Sequence, residues 1–127
     1  MAAWDYLVIG GGSGGIASAR RAARHGARVA LVEAGRLGGT CVNLGCVPKK
    51  IMWNAASIAE ALGDAEGYGF DVDPAGFDWA KMKAGRDAYV ERLNGIYARN
   101  LEGSGVTAIR GRATLVGPGE IEVEGQR

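Results

Sequence analysis

Two cysteines five positions apart, Cys41 and Cys46, are the side chains of this sequence best suited to chemistry. In a reducing compartment, a cysteine pair this close is more often catalytic or metal-binding than structural. Zinc usually takes a full tetrahedral set of Cys and His ligands, whereas the chain offers only His25 besides these cysteines. The pair therefore favours thiol redox chemistry, and no metal site is expected.

The spacing of the two cysteines constrains the backbone between them. On a regular helix their Cα atoms would be roughly 8–9 Å apart, whereas a disulfide needs less than about 7 Å. If they bond, the segment must be irregular, and Gly45 and Pro48 allow such a break. A disulfide that closes so small a ring stabilises a fold little and is better interpreted as an electron store. The alternative is two reduced cysteines that only fill space.

A phosphate-binding fingerprint, Gly10-x-Gly12-x-x-Gly15, precedes the cysteines. Gly10 permits the tight turn, Gly12 lets the backbone approach a pyrophosphate, and Gly15 lets helix and strand pack closely. Glu33, about 20 residues further on, is placed to accept hydrogen bonds from ribose hydroxyls. The motif predicts a dinucleotide with a free ribose hydroxyl, FAD or NAD rather than NADP. The alternative is a tight turn that binds nothing.

The elements around this fingerprint predict a βαβ unit. The apolar run Tyr6–Ile9 and residues 28–32 predict two buried parallel strands. Between them, residues 13–25 carry apolar side chains at helical spacing, and Gly26 is suited to ending that helix. The glycine-rich segment of residues 35–45, with Cys41 inside it and Cys46 directly after it, follows the second strand, which places the cysteines beside the fingerprint.

The rest of the chain predicts two helices and a small sheet. A helical stretch runs from Pro48 to about residue 62, residues 63–76 predict a loop, and Asp78 can cap a further helix that ends before Gly103. Short alternating pieces separated by glycines then predict a small antiparallel meander, at Val106–Arg110, 113–116 and 121–124. Because no closing element follows, we expect the chain to be a segment of a longer protein.

Composition and charge bound the function. The chain has 127 residues, enough for one domain, and 47% hydrophobic with 23% charged residues is typical of a globular protein. A net charge of +1 gives no field that favours nucleic acid or an anionic membrane. No apolar run approaches the ~20 residues of a membrane span, and the N-terminus lacks the features of a signal peptide. We expect a cytoplasmic protein with no nucleic-acid or membrane partner.

The segment around the cysteines resembles a known motif. Residues 38–50, Gly-Gly-Thr-Cys-Val-Asn-Leu-Gly-Cys-Val-Pro-Lys-Lys, look like the redox-active disulfide motif of the pyridine nucleotide–disulfide oxidoreductases. The Cys-Val-Asn-x-Gly-Cys-Val-Pro-Lys-Lys form is similar to the branch that acts on glutathione or trypanothione disulfide. Lipoamide and mercuric reductases more often carry Ser-Lys after the proline. The likeness extends to residues 8–23, 52–54, 68–70, 86–90, 93–94 and 96–97.

The resemblance implies an α/β fold, with residues 1–127 forming the N-terminal part of a Rossmann-like FAD-binding domain. Its parallel βαβ sheet would be joined by the small antiparallel β-meander. It implies that electrons pass from NADPH, through FAD and a disulfide between Cys41 and Cys46, to glutathione disulfide in a homodimer. NADPH would bind a domain outside this chain, as would the dimerisation contacts, so the segment alone would be inactive. Alternatives are a trypanothione, mercuric or dihydrolipoamide-type enzyme, or a non-catalytic FAD-binding fragment.

The resemblance also implies roles for single residues. Cys41 would be the interchange thiol that attacks the substrate, and Cys46 the thiolate next to the flavin. Lys49 could hold negative charge on a reduced flavin or stabilise a thiolate. His25 matches no acid–base position and is predicted to be a surface residue. The FAD-binding residues implied are these three motif residues with Gly10, Gly12, Ser13, Gly14, Gly15, Glu33, Gly39, Thr40 and Ala113. The substrate-binding residues implied are Ser13, Arg20 and Tyr97.

Overall fold

A three-stranded parallel sheet forms the centre of the fold in a computed structural model, which describes residues 3–73 and 76–125. Strands β1 (Tyr6–Ile9), β2 (Val29–Glu33) and β3 (Val106–Arg110) lie in the order β1-β2-β3, and both pairings are parallel. The central strand β2 is an unbroken apolar run from Val29 to Val32 that is buried along its length. This continuous burial is what a parallel strand with neighbours on both sides requires.

The predicted βαβ unit is confirmed. Helix α1 (Ser13–Arg24) connects β1 to β2, with Tyr6 paired to Val29. Ile16 and Ala19 on α1 are buried against the sheet. Because Ala19 is small and fully buried, α1 can lie close to the strands. His25 is exposed at the end of α1, as predicted.

Within the described residues, three α-helices follow β2, where the sequence predicted two. A five-residue helix, α2 (Gly39–Asn43), precedes α3 (Cys46–Asp64) and α4 (Trp79–Glu102). The predicted loop at residues 63–76 was wrong in its first part, because α3 continues through Asp64 and a 3-10 helix occupies Ala65–Tyr68. Residues 69–73 lie in no helix or strand, as predicted. Residues 74 and 75 of that predicted loop lie outside the described residues. Asp78 caps α4 as predicted, accepting a 2.9 Å hydrogen bond from the Lys81 backbone N–H.

The predicted three-stranded meander was also wrong in one respect. Val106–Arg110 pairs with β2 as a parallel strand, because α4 carries the chain back along the sheet and packs against β3. Only β4 (Ala113–Gly117) and β5 (Glu120–Val123) form an antiparallel pair, in a separate two-stranded sheet. Gly111, at a φ of 151°, makes the turn between the two sheets. The α/β class with a small antiparallel sheet is confirmed.

Helix α3 leaves much apolar surface uncovered. None of its residues is buried, and Trp53 is 70% exposed. Tyr68, at the end of the 3-10 helix, is 82% exposed. An apolar face of this kind usually marks a contact surface. No helix in the described ranges is long and apolar enough to cross a membrane.

Candidate functional site

The glycine fingerprint forms the tight turn between β1 and α1. Gly10 has a φ of 104°, in the left-handed region, and its N–H donates a 2.8 Å hydrogen bond to the Val32 carbonyl. A Cβ built on Gly15 would overlap the carbonyl oxygen of Gly10. The left-handed backbone at Gly10 and the close packing at Gly15 therefore require glycine at both positions, whatever ligand binds.

Gly12 and Gly14 have no such internal requirement. A Cβ on Gly12 would meet only the Gly39 Cα, at 3.9 Å, and a Cβ on Gly14 would meet nothing within 4 Å. Gly12 has a φ of −79°, which any residue can adopt. No side chain caps the N-terminus of α1, and its first turn holds no acidic residue. Open space and N–H donors at a helix N-terminus suit a phosphate group, so these residues fit a dinucleotide.

Glu33, at the end of β2, is hydrogen-bonded to the glycine loop of residues 10–15. Its carboxylate accepts a 2.6 Å hydrogen bond from the Gly11 N–H and a 2.7 Å hydrogen bond from the Gly35 N–H. Sequence reasoning missed this role, which holds the fingerprint and the start of the next loop together. A carboxylate can accept more than two hydrogen bonds, so the contact with a ribose stays a prediction that this geometry permits.

The cysteine segment begins in contact with the glycine loop. The Gly38 N–H donates a 2.7 Å hydrogen bond to the Gly11 carbonyl, and Gly38 forms a parallel bridge with Gly12. A Cβ on Gly39 would lie 2.9 Å from the Gly12 Cα. Close backbone contact therefore brings the candidate thiol site next to the candidate phosphate site. Thr40 follows directly and is exposed.

Gly45 folds the two cysteine-bearing helices against each other. Cys41 lies within α2, and Cys46 is the first residue of α3. A Cβ on Gly45 would lie 2.9 Å from the Thr40 carbonyl oxygen and 3.2 Å from the Cys41 Cα. The segment is thus irregular, as a bond between the cysteines would require. Cys41 is half-buried, Cys46 is exposed, and both are free thiols in this structure.

The two thiols are close enough to interact. A hydrogen bond with the Cys46 side chain raises the pKa of Cys41, and partial burial and the charge of Cys46 act in the same direction. The positive charge of Lys49 opposes this shift and lowers the pKa of Cys41. Lys49 is held one turn into α3, where its N–H donates a 3.0 Å hydrogen bond to the Gly45 carbonyl. A negative charge on Cys46 would therefore disfavour a second one on Cys41.

The predicted substrate residues lie on α1 and α4, which pack together. Ser13 is exposed at the start of α1, and Arg20 is two turns further along. Arg20 Nε donates a 2.9 Å hydrogen bond to the Ser104 hydroxyl, a partner that sequence reasoning missed. Tyr97 packs against the hydrophobic core. Ala113, predicted to meet the adenine end of FAD, begins β4 and is half-buried.

Comparison with known proteins agrees with this geometry. A family model described as pyridine nucleotide-disulphide oxidoreductase matches residues 4–127. Glutathione reductase of Schizosaccharomyces pombe is 61% identical over 123 residues, which cover 95% of this chain and 26% of the relative. Glutathione reductase of Yarrowia lipolytica is 63% identical over 116 residues, 88% of this chain and 25% of the relative. Glutathione reductase of Debaryomyces hansenii is 54% identical over 94% of this chain and 26% of its own length. The chain thus spans about a quarter of the length of these relatives.

Proposed function

The chain belongs to the pyridine nucleotide–disulfide oxidoreductase family, and on that premise we propose that it is the FAD-binding segment of an NADPH-dependent glutathione-disulfide reductase. The observation that carries the proposal is the adjacency of Cys41 and Cys46 on helices folded together at Gly45. The contact of this segment with the Gly12 loop supports a dinucleotide beside the thiols. The names of the relatives support glutathione disulfide as the substrate.

The proposed cofactor is FAD, which when bound would relay an electron pair from NADPH to the disulfide. Gly12, Ser13 and Gly14 would hold its phosphates at the N-terminus of α1. Glu33 would accept from its ribose, and Lys49 would supply positive charge near the flavin. The remaining implied FAD contacts are Gly10, Gly15, Gly39, Thr40, Cys41, Cys46 and Ala113. NADPH would bind a part of the protein outside this chain.

Two thiol–disulfide exchanges would complete the reaction. Reduction of the Cys41–Cys46 bond by two electrons would yield the Cys41 and Cys46 thiolates. The Cys41 thiolate attacks one sulfur of glutathione disulfide, breaks its S–S bond and releases one glutathione as a thiolate. The Cys46 thiolate then attacks the Cys41 sulfur, releases the second glutathione and restores the protein disulfide. Protons taken up by the released thiolates complete the balance.

Charge on α1 supports glutathione over trypanothione. Glutathione carries net negative charge, whereas the spermidine link of trypanothione is positive. Arg20 is a cation suited to bind a glutathione carboxylate through a charge-assisted hydrogen bond. Ala17, one turn earlier, is exposed and adds no acidic group. Ser13 and Tyr97 would complete the substrate contacts.

The test uses the complete protein that contains this segment, loaded with FAD. NADPH oxidation is followed with glutathione disulfide and with trypanothione disulfide, in the wild type and in Cys41→Ser. We expect turnover with glutathione disulfide to dominate and to collapse in Cys41→Ser, while NADPH still reduces the flavin. A wild type that prefers trypanothione disulfide would refute the substrate. A Cys41→Ser variant that turns over normally would refute the thiol mechanism.

A further inference from the structure

Helix α2 is too short to hold Cys41 in place by itself. It has five residues, and Val42 is the one among them that is buried. An isolated helix of this length is unstable in water, because nucleation costs more than so few hydrogen bonds return. The position of the Cys41 sulfur therefore depends on contacts that α2 makes with other parts of the chain.

An amide network supplies those contacts. Asn43, at the end of α2, donates from Nδ2 to the Gly39 carbonyl at 2.9 Å and to the Leu37 carbonyl at 3.1 Å. Asn94 on α4 donates from its own Nδ2 to the same Leu37 carbonyl at 2.7 Å and to Asn43 Oδ1 at 2.9 Å. The network thus joins both ends of α2, and the loop before it, to a single side chain of a distant helix.

Helix α4, which carries Asn94, is itself held in place by the hydrophobic core. It has 24 residues, and it is anchored by the buried side chains of Val90 and Leu101. Asn94 lies between these anchors and is half-buried. It reaches a carbonyl 57 positions away in the chain. A half-buried amide whose two N–H groups both have acceptors is directional, so the network fixes orientation as well as distance.

We propose that Asn94 is a positioning residue for the thiol pair, holding α2 so that the Cys41 sulfur stays next to Cys46. The inference rests on the proposed dithiol chemistry and adds to it a residue outside the Cys-x-x-x-x-Cys motif. The residue touches no reacting atom, and it acts through Leu37 and Asn43. An asparagine is required because its amide presents two N–H donors at the reach of both acceptors. Leucine has nearly the same shape and no donor.

The expected consequence is a change in the redox equilibrium of the thiols. In this equilibrium, the reduced protein dithiol and glutathione disulfide react to give the protein disulfide and two glutathione molecules. The equilibrium constant for this reaction rises with the effective concentration of one protein thiol at the other. Loosening α2 lowers that effective concentration. The Cys41–Cys46 disulfide then becomes easier to reduce, and the attack of Cys46 on the mixed disulfide slows. We therefore expect kcat to fall more than KM changes.

The test measures this equilibrium in the complete, FAD-loaded protein, using glutathione buffers and quantifying free thiols by alkylation and mass spectrometry. For Asn94→Leu we expect the equilibrium constant for disulfide formation to fall about tenfold, the size that loss of roughly one net hydrogen bond gives. Asn100→Leu is the matched control, because it makes the same substitution on the same helix at another half-buried position. It should leave the constant within about twofold of the wild type.

Two further variants keep the result interpretable. Asn94→Gln retains both donors on a longer arm, so its constant should lie between those of the wild type and Asn94→Leu. Asn94→Ala also removes the amide and leaves a smaller side chain than leucine. It replaces Asn94→Leu as the test of the inference if Asn94→Leu does not fold. An unchanged constant in Asn94→Leu or Asn94→Ala, or an equal fall in Asn100→Leu, would overturn the inference. A wild type that forms no Cys41–Cys46 disulfide in these buffers would instead overturn the proposed function.

Discussion

Arg20 Nε donates a 2.9 Å hydrogen bond to the hydroxyl of Ser104, 84 positions further along the chain. The Ser104 hydroxyl in turn donates to the Asn100 carbonyl at 2.7 Å. These two bonds tie α1 to the turn that follows α4 and restrict the orientation of the guanidinium. Since an arginine has donors beyond Nε, Arg20 keeps hydrogen-bonding capacity for a carboxylate of the proposed substrate.

The first prediction concerns disulfide specificity. Replacing Arg20→Trp together with Ala17→Glu in the complete protein removes the cation and adds an acidic group. We expect kcat/KM for glutathione disulfide to fall roughly 10- to 100-fold, which corresponds to losing about 1.5–3 kcal/mol of a charge-assisted bond. Activity on trypanothione disulfide should rise, because a specificity change needs both a loss and a new attraction.

Its control is Arg21→Trp, which changes an exposed arginine next to Arg20 on the same helix. That variant should leave both kcat/KM values within about twofold of the wild type. An unchanged ratio of the two values in the double variant would remove Arg20 from the substrate site.

The second prediction concerns the pH dependence of Cys41. Its pKa is raised mainly by the hydrogen bond with Cys46, and a raised thiol pKa means less of the reactive thiolate at a given pH. In reduced Cys46→Ala, that cause is gone, so the alkylation midpoint of Cys41 should move to lower pH. Lys49→Met should move it to higher pH, because the lysine charge lowers the Cys41 pKa. Alkylation rates between pH 6 and 10 would check both shifts. Shifts in the same direction for the two variants would contradict the opposite effects assigned to Cys46 and Lys49.

The third prediction separates the glycines that the fold needs from those that a ligand needs. The Cβ of Gly12→Ala would make only an ordinary contact with the Gly39 Cα, at 3.9 Å. The FAD-free protein should therefore lose at most about 1 kcal/mol of unfolding free energy, the usual effect at a helix N-cap. Its FAD dissociation constant should rise at least about tenfold, because the added methyl group occupies the predicted phosphate position.

Gly15→Ala is the contrasting variant, since its Cβ would overlap the Gly10 carbonyl. It should destabilise the FAD-free protein itself by roughly 1–3 kcal/mol. Denaturant unfolding and flavin fluorescence titration measure the two effects. Full FAD affinity in Gly12→Ala would place the phosphates elsewhere.

The fourth prediction concerns the fold of the cysteine segment. Gly45→Ala puts a methyl group against the Thr40 carbonyl and the Cys41 backbone, so α3 must shift away from α2. We expect a loss of roughly 1–3 kcal/mol in stability and a lower tendency to form the Cys41–Cys46 disulfide. Gly63→Ala, on the same helix with nothing within 4 Å, should be neutral or stabilising by about 0.5–1 kcal/mol. Thermal unfolding of both complete proteins tests this; equal behaviour of the two variants would count against the close contact at Gly45.

The local pattern of the sequence was enough to predict the βαβ unit and the two candidate motifs. An apolar strand, a glycine turn and a helix with small buried residues are encoded within a few positions of one another, and so is the break at Gly45. The same local pattern wrongly predicted an antiparallel partner for Val106–Arg110, which pairs in parallel with β2. It also gave no sign of the hydrogen bond that Glu33 accepts from the Gly11 N–H.

Only the tertiary structure decided which distant groups meet. Periodicity in a sequence indicates which face of an element is buried, whereas it does not specify the strand edge or the polar partner that the element reaches. The pairing of β3 with β2, the bond from Arg20 to Ser104 and the bonds from Asn94 all join parts of the chain far apart in sequence. Such contacts depend on how α4 packs against the sheet, because that packing sets the positions of the polar side chains on and next to α4.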